Sequence, residues 1–151
     1  MVKFADLKEE GEKWASEFCK ALNANPNYKA AGKGWKGALL LIMKACGEIE
    51  EDVKAFADLE DGTCKGIKVL GPDEEPPFEP IMTVTGSMYL WRQIALKEKD
   101  PIQCLMSGDL ILEGDMALAM RYARAVMELA NTAEKADNTL LTKYDLGSGE
   151  D

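Results

Sequence analysis

Histidine is absent from the 151 residues. With it go the commonest general base and every Ser-His or Cys-His nucleophile arrangement. Any chemistry would have to run on carboxylates, Lys, Tyr or a bound cofactor. Long apolar runs are lacking as well: none approaches the roughly 18 residues of a membrane span. The opening MVKFADLKEEGEKW carries acids where a secretory leader needs a basic region and an apolar core. A cytoplasmic protein is expected. Positive charge is also scarce, 18 Lys and Arg against 27 Asp and Glu, for a formal net charge of -9. That field repels phosphate backbones, so nucleic acid is not an expected partner.

Metal-ligand patterns are missing too. Cys19, Cys46, Cys64 and Cys104 form no C-x-x-C pair and have no His to complete a zinc set. They read as four buried or half-buried thiols that pack like small apolar side chains. The acids Glu48, Glu50, Glu51, Asp52, Asp58, Glu60 and Asp61 lack the register of a calcium loop. Gly32-Lys33-Gly34-Trp35-Lys36-Gly37 lacks the G-x-x-x-x-G-K-[ST] of a phosphate loop. No metal and no cofactor is expected.

What is present is ordinary for a globular domain, 46% hydrophobic and 30% charged. The expected division is one domain over residues 1–140 and a flexible acidic tail over 141–151, ending in DLGSGED. Phe4, Leu7, Gly11, Trp14, Ala15, Phe18 and Leu22 recur at helical spacing, and Asn25-Pro26 stops that helix. GALLLIMK, within residues 34–45, is continuously apolar and fits a strand covered on both faces, with a buried helical turn as the alternative. Residues 53–59 and 64–70 alternate around Asp61-Gly62, a strong hairpin signal. An acidic, proline-rich loop spans 73–80, and residues 81–85 are β-branched enough for another strand. Ser87 caps a helix with face Met88, Trp91, Ile94 and Ala95, and Asp100-Pro101 opens a short helix to Met106. Leu110 to Leu112 is a last strand. Asp115 then caps one long helix to about Ala136, with stripe Met116, Ala119, Met120, Ala123, Met127 and Ala130. This order is not a regular βα alternation; it predicts α+β with a mostly antiparallel sheet.

The stretch DPIQCLMSGDLILEGDMALAMRYAR, residues 100–124, resembles the C-terminal signature of sterol carrier protein type two (SCP2) domains. The matching positions, in ungapped register, are Pro101, Leu105, Met106, Gly108, Leu110, Gly114, Met116, Leu118, Ala119 and Met120. Upstream the likeness is looser and rests on Phe56, Asp61-Gly62 and the strand from Ile81 into Ser87. The resemblance implies a five-stranded sheet covered by helices on one face, with an apolar tunnel between the layers. It also implies a non-catalytic, intracellular lipid carrier for a sterol, a fatty acid or a fatty acyl-CoA-like ligand, without a metal.

Seven methionines, Met43, Met82, Met88, Met106, Met116, Met120 and Met127, suit a wall that repacks around varied ligands. The residues expected to face the ligand are Met88, Trp91, Ile94, Leu105, Met106, Met116, Ala119 and Met120. No acid lies between Glu17 and Glu48, so Lys29, Lys33 and Lys36 form a positive island suited to an anionic head group or brief membrane docking. Arg92, Arg121 and Arg124 are further candidates for that role. Two other functions fit the same pocket. One is a lipid-presenting subunit or scaffold for a partner enzyme. The other is an isomerase using Asp109 or Asp115 as base and Tyr89 or Tyr122 as oxyanion donor. A buried carboxylate inside the cavity would favour the enzyme, and an all-apolar cavity with one charged mouth would favour the carrier.

Overall fold

The apolar stripe at the N-terminus forms α1 (Phe4–Asn23), burying Phe4, Leu7, Ala15, Phe18 and Leu22. The computed structural model describes residues 1–147. Asn25 ends α1 but also starts α2 (Pro26–Ala31), a helix the sequence pattern did not announce. The Asn25 side chain accepts from the N–H groups of Asn27 and Tyr28, and Pro26 sits where a missing N–H costs nothing.

β1 (Lys36–Lys44), β2 (Val53–Glu60) and β3 (Thr63–Leu70) follow as an antiparallel meander. The β2–β3 turn has φ of 52° at Asp61 and 78° at Gly62, the left-handed pair that matches strand twist. Glycine is required there for a second reason. A β-carbon on Gly62 would stand 2.3 Å from the Lys29 carbonyl oxygen, because the end of α2 rests on the turn. β4 (Met82–Ser87) pairs in parallel with β1, and β5 (Ile111–Glu113) pairs antiparallel with β4. The sheet order is β3-β2-β1-β4-β5, with three antiparallel ladders and one parallel. The fold is therefore α+β with a mostly antiparallel sheet.

The remaining helices are α3 (Met88–Ala95), α4 (Pro101–Ser107), α5 (Met116–Arg121), α6 (Ala123–Lys135) and α7 (Thr139–Lys143). Ser87 caps α3 by accepting from Leu90 N–H at 3.0 Å, and Asp100 caps α4 by accepting from Ile102 N–H at 2.8 Å. The helices pack against one face of the sheet. The opposite face buries Ala38, Leu40, Phe56 and Leu70, a cluster without any helical residue. It is crossed by the proline-rich segment 71–81 on its way from β3 to β4. Phe78 of that segment stands edge-on to Phe56 at 4.9 Å, and Ile81 N–H donates to the Ala38 carbonyl at 2.9 Å. Covering on both faces explains the unbroken apolar run of β1.

Three expectations change. The long C-terminal helix breaks at Tyr122 (φ -103°, ψ 27°) into α5 and α6. The Tyr122 ring packs edge-on against Trp35 at 5.0 Å, a tertiary contact that no helical stripe encodes. Cys19 and Cys64 are not thiols: they form a disulfide joining α1 to β3, while Cys46 and Cys104 are free and buried. Residues 141–147, expected in a flexible acidic tail, complete α7 and return to the body, where Leu146 is buried. Asp145 contributes its carbonyl to Glu48 N–H at 2.8 Å, and Val2 pairs with the same turn through Glu48 and Glu50. The expectation for 148–151 lies outside the described residues.

Candidate functional site

Strand alternation sends every second side chain of the sheet toward the helices. Leu39, Leu41 and Met43 of β1, Ala55 and Ala57 of β2, Ile67 and Val69 of β3, and Met82 and Val84 of β4 all line a cavity between the layers. The helical side supplies Leu7, Gly11, Trp14, Ala15 and Phe18 from α1, which is the i, i+3, i+4 stripe read from the sequence. α3 adds Met88, Trp91, Arg92, Ile94 and Ala95, while α6 adds Val126, Leu129, Ala130 and Ala133. Leu140, Leu141, Tyr144 and Leu146 complete the lining. The cavity volume is about 300 Å³. Small side chains are frequent in its wall: Ala15, Ala55, Ala57, Ala119, Ala130 and Ala133.

The walls are dry. The indole N–H of Trp91 donates to the Ile42 carbonyl at 3.0 Å, and that of Trp35 donates to the Gly37 carbonyl at 2.9 Å. Neither therefore needs a polar ligand. Among the described lining residues no Asp, Glu or Lys occurs, and Arg92 is the one charged group. Its guanidinium lies 5.1 Å from the centre of the Tyr89 ring and donates to the Tyr144 carbonyl at 3.4 Å.

Of the residues read from the sequence as facing a ligand, Met88, Trp91, Ile94, Leu105 and Ala119 line this cavity. Met106, Met116 and Met120 do not. Met106 is 74% exposed, because it lies one helical step beyond buried Leu105, a turn of about 100° that carries it to solvent. Met116 sits exposed at the first turn of α5, and Met120 packs between the core clusters flanking the cavity. Lys29, Lys33 and Lys36 are exposed and line none of it, as are Arg121 and Arg124. The basic run is local in sequence, yet it falls on α2 and the approach to β1, outside the layers. Sequence reasoning missed the α1, β2 and β3 walls as site residues, although their periodicity was the available signal. It also missed Leu140 to Leu146, which carry no such signal.

The carboxylates proposed for an isomerase lie elsewhere. Asp109 is exposed and accepts from the Ser107 hydroxyl at 3.0 Å, while Asp115 caps α5 by accepting from Leu118 N–H at 3.2 Å. Burial, and then the nearby Asp109 charge, push the Cys104 thiol above its ordinary pKa, which disfavours the nucleophilic thiolate. Among the described residues no group of three or more His, Cys, Asp or Glu is placed to hold a metal ion. No helix among them is long and apolar enough to cross a membrane.

Comparison with known proteins places this architecture. No curated protein matches the sequence. A crystal structure of sterol carrier protein 2 superposes with a TM-score of 0.76 at 28% identity, covering 83% of this chain and 97% of that one. The solution structure of a conserved Thermus thermophilus protein, described as a candidate sterol carrier protein, gives 0.73 at 28% identity, covering 82% and 86%. An SCP2 domain of the ubiquinone synthesis protein UbiJ shares the fold alone, at 18% identity and a TM-score of 0.51, covering 85% and 91%. The family model for the SCP-2 sterol transfer family matches residues 8–127. The chain therefore belongs to the SCP-2 sterol transfer family.

Proposed function

We propose that this protein is a non-catalytic lipid carrier that holds the chain of one single-tailed lipid between its sheet and its helices. The observation that carries the reading is the composition of the cavity wall: apolar on all sides, with one cation and no carboxylate among the lining residues. Such a wall supplies affinity through buried hydrocarbon. It offers no general base and no nucleophile at the place where a substrate would lie.

The magnitude is sufficient. Each buried methylene contributes about 0.8 kcal/mol, so roughly twelve carbons give on the order of 10 kcal/mol gross. Association and ordering cost several kcal/mol of that, leaving micromolar to nanomolar binding. A volume of about 300 Å³ lies at the lower end of ligand sites, which favours one slender chain over a fused-ring sterol. A cytoplasmic place of action is part of the proposal. The Cys19–Cys64 disulfide pulls against it, since reducing compartments rarely keep such bonds, and thiol trapping in freshly lysed cells decides the point.

Mass spectrometry of an organic extract from natively purified protein tests the carrier reading, together with titration of delipidated protein with dodecanol and dodecanoate. Expected are a co-purifying single-chain lipid near one per protein and saturable micromolar binding. An empty extract and no uptake of either chain would remove the reading.

A further inference from the structure

The Cys19–Cys64 disulfide stands on a seam of the cavity wall. α1 lies antiparallel along the edge strand β3: a β-carbon on Gly71 would meet the Phe4 ring at 2.9 Å, one on Gly11 would meet Val69 at 3.6 Å, and Cys19 reaches Cys64. Both sides of this seam line the cavity, through Gly11, Trp14, Ala15 and Phe18 of α1 and Ile67 and Val69 of β3. A helix and a strand share no backbone ladder, so side chains must hold them together. At the end of α1 these ties converge on Cys64. Its sulfur is bonded to Cys19, its N–H donates to the Asn23 side-chain oxygen at 2.7 Å, and its carbonyl accepts from the Asn23 amide nitrogen at 2.9 Å. Asn23 thus pairs with an edge-strand residue as a neighbouring strand would. The other end of α1 is tied to the β1–β2 connection, where Phe4 N–H donates to Glu51 at 2.8 Å.

Resting on the carrier reading, we propose that Cys19 and Cys64 form a redox modification site that governs lipid exchange: the disulfide shuts the seam between α1 and β3, and its reduction by a dithiol opens it. A thiolate of the reductant attacks Sγ of Cys19, the half-buried partner, and the bond to Cys64 breaks. Cys64, only 4% exposed, leaves as the thiolate and takes a proton from solvent. The reductant's second thiolate then attacks its own sulfur in the mixed disulfide and releases Cys19, which is protonated in turn. The pair gains two electrons and two protons, and the dithiol ends as a disulfide. What remains of the clamp is two neutral hydrogen bonds, which exchange with water at little net cost. A wall held that way opens locally more often than a cross-linked one. In the reducing compartment proposed above, disulfides are characteristically transient and redox-sensing. Lipid is then sequestered under oxidation and released when reducing power returns.

The test loads the delipidated full chain with tritiated dodecanol, adds excess phosphatidylcholine vesicles and follows the label left on the protein, with and without dithiothreitol. Buried Cys46 and Cys104 are the internal standard, so denatured protein should show two thiols before reduction and four after it. Reduction should speed release about tenfold or more. Cys19→Ser/Cys64→Ser should release at the reduced rate regardless of dithiothreitol, and Asn23→Ala should quicken the reduced protein more than the oxidised one. Four thiols before reduction, or equal release rates in the two states, overturn the lock and leave the carrier standing. Phe56→Ala loosens the opposite face; if it speeds oxidised release as much as reduction does, general softening replaces the lock. Loss of the far-ultraviolet dichroism on reduction overturns it too, making the pair a structural staple. Failure to retain dodecanol in either state removes the lock and the carrier reading together.

Discussion

The two faces of the sheet are built from the same three strands and end in different states. On the face crossed by segment 71–81, Phe56 fills the centre between Leu40 and Leu70, and Phe78 closes over it. On the helical face the β2 positions are Ala55 and Ala57, which line a cavity together with Ala15 of α1 and Ala130 and Ala133 of α6. The first face also carries Lys54, Asp58 and Lys68 around its apolar centre, whereas Val53, Ala55, Ala57, Leu59, Ile67 and Val69 make the helical face of these strands apolar. Side-chain volume makes one a solid core and the other a container, since apolar residues close a gap only when their volumes sum to it.

The largest effect should come from breaking the solid side. Phe56→Ala removes a ring that is only 2% exposed and should cost about 3–5 kcal/mol, read from urea midpoints, while dodecanol affinity stays unchanged. Loss of binding in the folded variant would show that the two faces form one core. Next is the staple on the cavity side. Reducing Cys19–Cys64, whose partners are 45 residues apart, should lower stability by roughly 2–4 kcal/mol in the wild type. A Cys19→Ser/Cys64→Ser double variant should be insensitive to reductant. Identical wild-type midpoints with and without reductant would mean that α1 is held on β3 by packing alone.

Filling the container sharpens the contrast further. Ala55 pairs with Leu41 and Val69 across the cavity wall, so Ala55→Leu should weaken dodecanol binding about tenfold, on the order of 1.4 kcal/mol. Its melting temperature should be unchanged or higher. Intact binding would put the ligand elsewhere. The smallest effect belongs to Asp52, at the mouth of the β1–β2 connection. Partial burial raises its carboxyl pKa, but Ala45 N–H at 2.8 Å and the Lys44 ammonium at 2.9 Å outweigh that and hold it below its ordinary value. A depressed folded pKa contributes stability that is present at neutral pH and lost as pH falls below roughly 4. Asp52→Asn should therefore cost up to about 1 kcal/mol at pH 7 and progressively less as pH falls below roughly 4, by denaturant titration.

Much of this contrast was legible in the residues. Alternation in 53–70, the Asp61-Gly62 turn and the Ser87 and Asp100 caps each act through neighbours within one turn of chain, and each appears in the structure as read. The failures share a different cause. Tyr122 interrupts a helix-forming stretch because Trp35 meets it from a distant part of the chain. Cys19 finds Cys64 with no spacing rule to announce it. Nor does a run of charges tell that Arg92 lines the cavity while Lys33 lies exposed outside it. A local basic run records composition, and which side of a sheet it reaches depends on pairing across the whole chain.

The parallel pairing of β1 with β4 bears on the order of folding. β1, β2 and β3 follow one another through short connections and close as neighbours, whereas Leu39 meets Met82 only after the meander and segment 71–81 have been traversed. Contacts of long sequence separation pay loop-closure entropy before they return any energy. The meander is therefore placed to lead the transition state and β4 to join late. Met82, Val84 and Leu112, which belong to the late strands, are also cavity walls. On this ordering the walls that Met82, Val84 and Leu112 supply are added to a meander that has already closed.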